Sequence, residues 1–473
     1  MVCNPLVHEF LLLALLWQLV FWHWVWKRGQ APKHPSTPQP KSLPKTPKPF
    51  AGLTQKPPCQ ACEQGPAHGT QSSLSPAPIL ASKRGRPRAI ATHSHYCPEK
   101  TCSYYGWVAR GNIRANGHPG SGPWRQLHCV VCQTYFLETQ GTVFHGKRVP
   151  AELLVRVVAA LAEGVGLRAV ARVFEVDPNP VLQWLGEVAD QLQAFSQYWL
   201  HDLHLSQVQL DELFAVLSTA KAGEGGKAEV LEPLARSPHW VWVALDPVSK
   251  LLLALDIGAR SLAMAQCLVH HTVQVLAPGC IPLFLTDGFK EYATALLTHC
   301  GRWVQPPRHT LTGPGPKPRW MPLPELLYAQ VVKQYRRRCL VGTRHRVVFG
   351  TLARVLHVLA ARGWHINTAV VERVNLTIRH HVAAVGRRVL TLCKSGAGLR
   401  HQTTLYHTYY NFCLLHASLR VPLVLPPPTN GSGSGKKWQL RTPAMAARLT
   451  DHVWSVRQVL LYRVPPWPQP HGR

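Results

Sequence analysis

Acidic residues are scarce. The 473-residue chain holds 23 Asp and Glu against 52 Lys and Arg, a formal net charge of +29. That imbalance argues against an ordinary enzyme of small cytosolic metabolites and points to a polyanion, either nucleic acid or an acidic membrane surface. It also makes any acid inside an apolar strand informative. Long hydrophobic runs are scarce as well. Phe10–Trp26 is 17 residues without charge, at the short edge for a spanning helix, and Gln18 and His23 interrupt it. It lacks a basic leader and a small-residue cleavage site, so it does not read as a secretory signal. Its tryptophans crowd toward Lys27 and Arg28, as in an interfacial membrane anchor. No internal repeat is evident. The 13 cysteines are odd in number and scattered, which argues against a disulfide scaffold and for metal ligands or free thiols. Apolar residues make up 46%, enough for real cores, and the length allows two or three domains of about 100–200 residues.

Residues 27–92 contain 13 prolines, 11 Lys or Arg and one acid, Glu63, a composition that cannot build a core. Near the end lies Lys83-Arg84-Gly85-Arg86-Pro87-Arg88, which suits an AT-rich minor groove or a solvated tether. Regular structure is predicted from about His95. Short strands and turns occupy 95–145, helices 150–198, and alternating strands and helices 205–307. Mixed elements follow to 416, and a Pro/Gly/Ser break falls at Pro426–Gly435. The predicted organisation is a hydrophobic segment 1–28, a disordered basic linker 29–92 and a zinc-binding module 93–148. A helix-turn-helix domain 149–200, a catalytic core 201–425 and a basic tail 426–473, helical near Pro443–Leu461, complete it.

Cys97-x4-Cys102 and Cys129-x2-Cys132 are two paired knuckles separated by 26 residues. Tetrahedral zinc needs four soft or imidazole ligands, and two facing Cys loops supply them. His93, His95 or His128 could replace one thiolate, and four reduced buried cysteines are the plain alternative. Cys59-x2-Cys62 has no second pair beside it. Three helices come next. Leu153, Leu154, Val157, Val158 and Leu161 recur at helical spacing, and Gly164-Val165-Gly166 ends the run. Leu167–Phe174 is a second short helix. Asp177-Pro178 reads as an N-cap with Pro at the first helical position, followed by inward Val181, Leu182, Trp184, Leu185 and Val188. The arrangement suits a DNA-reading unit whose third helix enters the major groove, although any small helical bundle has this periodicity. Asn179 and Gln183 are the candidate base contacts, Arg168 and Arg172 the candidate phosphate contacts.

Three acids stand in informative places. Asp211 interrupts the apolar strand Val208–Phe214. Strands follow at Trp240–Leu245 and Leu251–Ile257 across the Asp246-Pro247 turn, then a helix over Ser261–Val275. Ile281–Gly288 is a buried strand ending at Asp287. A right-handed crossover would set this strand parallel and next to the first, so that Asp211 faces Asp287. Two close carboxylates repel unless a divalent cation neutralises them. Glu372 opens an otherwise basic helix carrying Arg373, Asn375, Arg379, His380, Arg387 and Arg388, and would complete a two-metal site. Asp246 and Asp256, near strand ends, are alternative members. Glu212 should point to the face opposite Asp211 by strand alternation. Arg373 and Asn375 are candidate DNA contacts, and Lys333 with Arg336–Arg338 is a solvated face or a phosphate track. Tyr410-Asn411-x4-His416 reads first as core packing.

With these motifs in this order, residues 95–420 resemble bacterial insertion-sequence transposases of the DDE class, close to the insertion-sequence-one type. The resemblance rests on the four cysteines, the three helices, Gln209-Leu210-Asp211-Glu212, Leu285-Thr286-Asp287-Gly288 and Asn367 through Asn375. It implies an α/β, RNase H-like catalytic core with Asp211, Asp287 and Glu372 binding two Mg2+ or Mn2+ ions, and a structural Zn2+. It also implies binding of double-stranded DNA at the element's terminal inverted repeats, donor-strand cleavage by water, and attack of the freed 3′-OH on target DNA. Joining two ends needs at least a homodimer, acting in the cytoplasm on the nucleoid, with membrane contact through Phe10–Trp26 as a further expectation. The hydrophobic start, the Pro-rich linker, the long C-terminal segment and Pro180 in the first turn of the reading helix depart from the family pattern. The alternative is a catalytically inactive zinc and helix-turn-helix DNA-binding regulator.

Overall fold

A computed structural model describes residues 92–215, 239–307, 315–337, 339–385, 395–423 and 437–467. Phe10–Trp26, the linker with Cys59 and Cys62, the Lys83–Arg88 run, Arg338, Arg387, Arg388 and the Pro426–Gly435 break lie outside the described residues. Among those described, no helix is long and apolar enough to cross a membrane.

The first elements are three short antiparallel strands, β1 (Ile113–Ala115), β2 (Gln126–Cys129) and β3 (Tyr135–Leu137). Helices α1 (Ala151–Ala162), α2 (Leu167–Val173) and α3 (Pro178–Trp199) follow. Gly164 ends α1 at φ +87°, where a Cβ would lie 2.5 Å from the His380 carbonyl oxygen. Only glycine allows that conformation and that approach. Asp177 caps α3 by accepting a hydrogen bond from the Asn179 N–H at 2.8 Å, and Pro178 occupies the first turn. Leu182 is 50% exposed, in contrast to its predicted inward position. At about 100° per residue it falls off the stripe formed by Val181, Trp184, Leu185 and Val188.

A mixed sheet forms the centre. Its strands are β4 (Gln207–Phe214), β5 (Trp240–Leu245), β6 (Leu252–Gly258) and, after helix α4 (Leu262–Gln274), β7 (Leu283–Thr286). Helix α5 (Glu291–His299) then leads to a separate ribbon, β8 (Gly301–Val304) with β9 (Arg319–Pro322). The long hairpin β10 (Leu327–Arg336) and β11 (Cys339–Phe349) completes the sheet in the order β11-β10-β7-β4-β5-β6. The meander β4-β5-β6 is antiparallel, and β7 lies parallel to β4, in the arrangement predicted from the strand pattern. Helices α6 (Leu352–Ala360), α7 (Ala369–His381) and α8 (Gly396–Thr408) follow, then β12 (His416–Pro422) paired to β13 (Trp438–Arg441), α9 (Pro443–Ala446) and α10 (Val456–Leu461).

Strand alternation divides β4 between two cores. Val208 and Leu210 face one side, packed with Trp242, Phe284, Ala265 and Leu268 of α4 and Tyr292 of α5. Leu213 faces the other, with Val241, Val243, Val371, Val374 and Ile378. Helices therefore cover both faces. The first cluster continues through Leu154, Val170, Leu185 and Phe195, so α1–α3 share the apolar core of the sheet. The segment after residue 436, expected as a tail, is packed in its described part 437–467. Trp454 and Tyr462 meet Phe195 edge-on at 5.4 Å each, and Arg463 is 4% exposed. Charge counts pointed to a tail, but its Trp, Leu and Val residues are what the core accepts. Tyr410 and Asn411 are fully buried, as expected of core packing, with the Asn411 side chain bonded to both backbone groups of Leu252.

Candidate active site

The β4–β7 ladder ends at the pair Leu210–Thr286, so Asp211 and Asp287 stand one residue beyond it on adjacent parallel strands. Their carboxylates and that of Glu212 come within 4.8 Å of one another. They line a cleft of about 910 Å³, with Glu372 and Asn375 from α7 and Arg260, Lys290, Lys333 and Arg379. The Asp211 carboxylate accepts from the Glu212 N–H at 2.9 Å and from Asn375 Nδ2 at 2.8 Å. Asp287 accepts from the Phe289 N–H at 2.9 Å. Burial, and then the Asp287 charge, push Asp211 up to about 7, with Glu212 and Glu372 adding to the rise. Three close, half-buried carboxylates form a set of hard oxygen donors, as a divalent cation requires. Asn375 Oδ1 is buried without a partner among the described residues, a further oxygen at the same place.

Glu372 takes its own partners. Lys333 Nζ donates to Oε1 at 2.5 Å and Thr368 Oγ1 to the same oxygen at 2.7 Å. The start of α7 is fixed to β4 by Gln209, which is 1% exposed. Its Nε2 donates to the Asn367 carbonyl at 3.0 Å, and its Oε1 accepts from the Val371 N–H at 3.0 Å.

Glu212 corrects the expectation from alternation. It does lie on the face opposite Asp211, the one that carries Val208, Leu210 and its cross-strand partner Trp242, yet its carboxylate reaches the cleft. Because β7 ends at Thr286, no residue of β7 is paired beside Glu212 on that side of β4. Arg260 Nε at 2.7 Å and Tyr292 Oη at 3.1 Å hold it there. Burial, then the Asp287 charge, raise its pKa, and Arg260 opposes the rise. An acid in an apolar strand was already the signal for Asp211, and the same signal marks Glu212. Arg260 and Tyr292 carry no such mark, since only folding brings them close.

The other predicted residues fall elsewhere. Asp246 is a buried turn cap, accepting from the N–H groups of Val248 and Ser249. Asp256 pairs with His271 Nδ1 at 2.9 Å on α4. Neither lines the cleft. Arg168, Arg172, Asn179, Gln183 and Arg373 are exposed, with Gln183 Nε2 donating to Glu187 at 2.8 Å. Asn375, predicted as a DNA contact, is 6% exposed and turned onto Asp211.

Cys97, Cys102, Cys129 and Cys132 gather their sulfurs within 4.8 Å of one another. The Sγ–Sγ distances are 3.5 Å for Cys97–Cys132 and 3.9 Å for Cys102–Cys129. Zn–S bonds of about 2.3 Å in a tetrahedron give edges of about 3.8 Å, so the four thiols fit that ion. The Tyr104 N–H and Asn112 Nδ2 point at Cys102 Sγ and Cys129 Sγ. Burial pushes the Cys102 thiol up to about 11 and Cys97 further, so thiolates at these two are costly without a cation. At Cys132, by contrast, burial is outweighed by hydrogen bonds with Thr134, which bring it down to about 7. His93, His95 and His128 stand outside this group.

No protein-family model matches the chain, and no curated protein does. Solved structures with partial likeness include the Mos1 strand transfer complex (TM-score 0.13, 16% identity, 33% of this chain and 57% of that one). A pre-cleavage Mos1 transpososome matches at TM-score 0.13 and 15% identity, covering 33% of this chain and 59% of that one. The Mos1 transposase paired-end complex with the left transposon end matches at TM-score 0.13 and 16% identity, with the same coverages. The chain thus spans 57–59% of the length of these solved chains. At that score they carry no argument about fold or function, which rests on the geometry above.

Proposed function

We propose that this chain is a metal-dependent DNA transposase of the DDE class, built on an RNase H-like core. The observation that carries the reading is the meeting of Asp211 and Asp287, each one residue past the last pair of the parallel β4–β7 ladder, in a cleft shared with Glu372 and rimmed by Lys and Arg. In this reading the three acids hold two Mg2+ or Mn2+ ions. When bound, such ions activate the attacking oxygen and stabilise the leaving oxygen of a phosphodiester. The chain's own groups do the positioning. Asn375 and the Glu212 N–H orient Asp211, the Phe289 N–H orients Asp287, and Thr368 with Lys333 orients Glu372. Lys290, Lys333 and Arg379 supply positive charge where phosphates would enter.

The reaction is cleavage of the donor strand by water, then attack of the freed 3′-OH on target DNA. The four cysteines hold a structural Zn2+. Helices α1–α3 bind the element's terminal inverted repeats, with Arg168 and Arg172 on phosphates and Asn179 and Gln183 on base edges, and Arg373 adds a contact from α7. Asn375 is assigned to Asp211 rather than to DNA. Two ends call for at least a dimer, acting on the nucleoid in the cytoplasm. The experiment is cleavage and strand transfer on a labelled duplex carrying the element's own end, with Mg2+ or Mn2+. Asp211→Ala, Asp287→Ala and Glu372→Ala are expected to abolish products while DNA binding persists. A wild type that binds the end tightly and never cuts it would establish the DNA-binding regulator instead.

A further inference from the structure

The β10–β11 hairpin outruns its sheet. Gln330 is the last residue of β10 paired to β7, and beyond it the two strands pair only with each other. The six residues to Arg336 extend about 20 Å at the usual rise of a strand. The arm starts at the cleft, which Val331, Val332 and Lys333 line. No acid occurs between Glu325 and Glu372, while Arg336, Arg337 and Arg344 are exposed on the arm and Arg346 at its base, opposite Gln330.

Its tip is unusual in two ways. The pair Arg336–Cys339 closes a two-residue turn in which Arg337 has φ 49°. Hairpin turns give that conformation to Gly, Asn or Asp, so this turn accepts backbone strain to keep a cation. Beside it the register slips. Gln334 faces Gly342 and Tyr335 faces Leu340, which leaves Val341 as a bulge. Leu340 and Val341 stand together, 55% and 60% exposed. An apolar pair on an edge strand would normally invite a second copy, but Arg344 and Arg346 on that edge would then meet like charges. A polyanion with an apolar interior fits both features.

We propose that this arm grips duplex DNA at the mouth of the cleft, with its arginines on phosphates and Leu340 and Val341 wedged between base pairs. Apolar wedges flanked by cations unstack and kink a duplex in this way. The inference rests on the DNA reading above and names the state in which DNA reaches the site.

The test uses the full chain and a mixed-sequence duplex with 2-aminopurine at a central TA step, where stacks open most easily. Wild type is expected to raise the 2-aminopurine emission. Leu340→Ala with Val341→Ala should abolish that rise and weaken binding less than about fivefold, since phosphate contacts dominate affinity. Arg344→Ala with Arg346→Ala should weaken binding and make the log–log salt slope shallower by about 1.8, or about 0.9 per lost phosphate contact. Both pairs are exposed, and circular dichroism checks their folding. Unchanged emission in the Ala pair, or unchanged affinity and salt slope in the Arg pair, overturns the proposal. So does a smaller molar mass of the Ala pair by light scattering, which would make the patch a contact between copies. A wild type that binds and cuts DNA while both variants match it defeats this inference alone. A wild type that binds no duplex defeats it together with the proposed function.

Discussion

Asp211 is a carboxyl whose surroundings keep its proton up to about pH 7. The sign of the consequence follows from linkage. Between about pH 4, where the unfolded chain releases this proton, and pH 7, where the folded chain does, the folded state binds more protons. Stability contributed at this site therefore falls as pH rises through that window. In chelator, the melting temperature is expected to fall across it, and Asp211→Asn is expected to flatten the fall. Divalent cation reverses the trend, because it competes with the proton. Mg2+ affinity should drop about tenfold per pH unit below 7 if one proton is displaced, which calorimetry at several pH values would show. An affinity independent of pH would mean that Asp211 is not a ligand.

Helix α7 illustrates how an element is placed for a site. Val371, Val374 and Ile378 recur at helical spacing and seat it on the sheet, but they allow it to slide. Gln209, itself buried, fixes its start through two hydrogen bonds. Gln209→Ala is expected to cost about 1–3 kcal/mol in urea denaturation, the usual effect of orphaning buried polar groups. Cleavage should fall further than DNA binding, because Glu372 loses its position. The strands β1–β3 depend on a different device. Their cluster is small, and the four cysteines belong to it. On the proposed zinc assignment, Cys129→Ser is expected to bring metal content below one per chain and to open residues 92–137 to protease while the rest stays resistant.

At the scale of the molecule, the C-terminal segment ties distant parts together. Arg463 Nη1 donates to the Tyr96 carbonyl at 3.2 Å and its guanidinium lies over the Tyr96 ring at 4.2 Å, next to Cys97. Trp454, a few residues earlier, packs on Phe195 of α3 and Phe412. Trp454→Ala is expected to lower the unfolding free energy by about 3–5 kcal/mol, as for large aromatics in a packed core. A urea midpoint unchanged by this substitution would mean that residues 437–467 do not contribute to folding stability.

Much of this was legible in local pattern. Knuckle spacing marked the four cysteines, a cap and proline marked the start of α3, and apolar runs marked β4 and β7. The crossover rule then put those two strands side by side, and an acid inside the first and at the end of the second was conspicuous in a chain so poor in acid. Each of these signals lies within a few residues or follows from chain handedness, so sequence alone determined them. Tertiary structure decided the rest. Glu212 joins the cleft because β7 stops at Thr286, which its own sequence does not disclose. Asn375 turns inward because α7 docks with that face on Asp211, although a polar residue on a basic helix reads as solvent-facing. Arg260, Tyr292 and Gln209 act across gaps of 48, 80 and 162 residues. Contacts over such separations depend on packing, and no local periodicity encodes them.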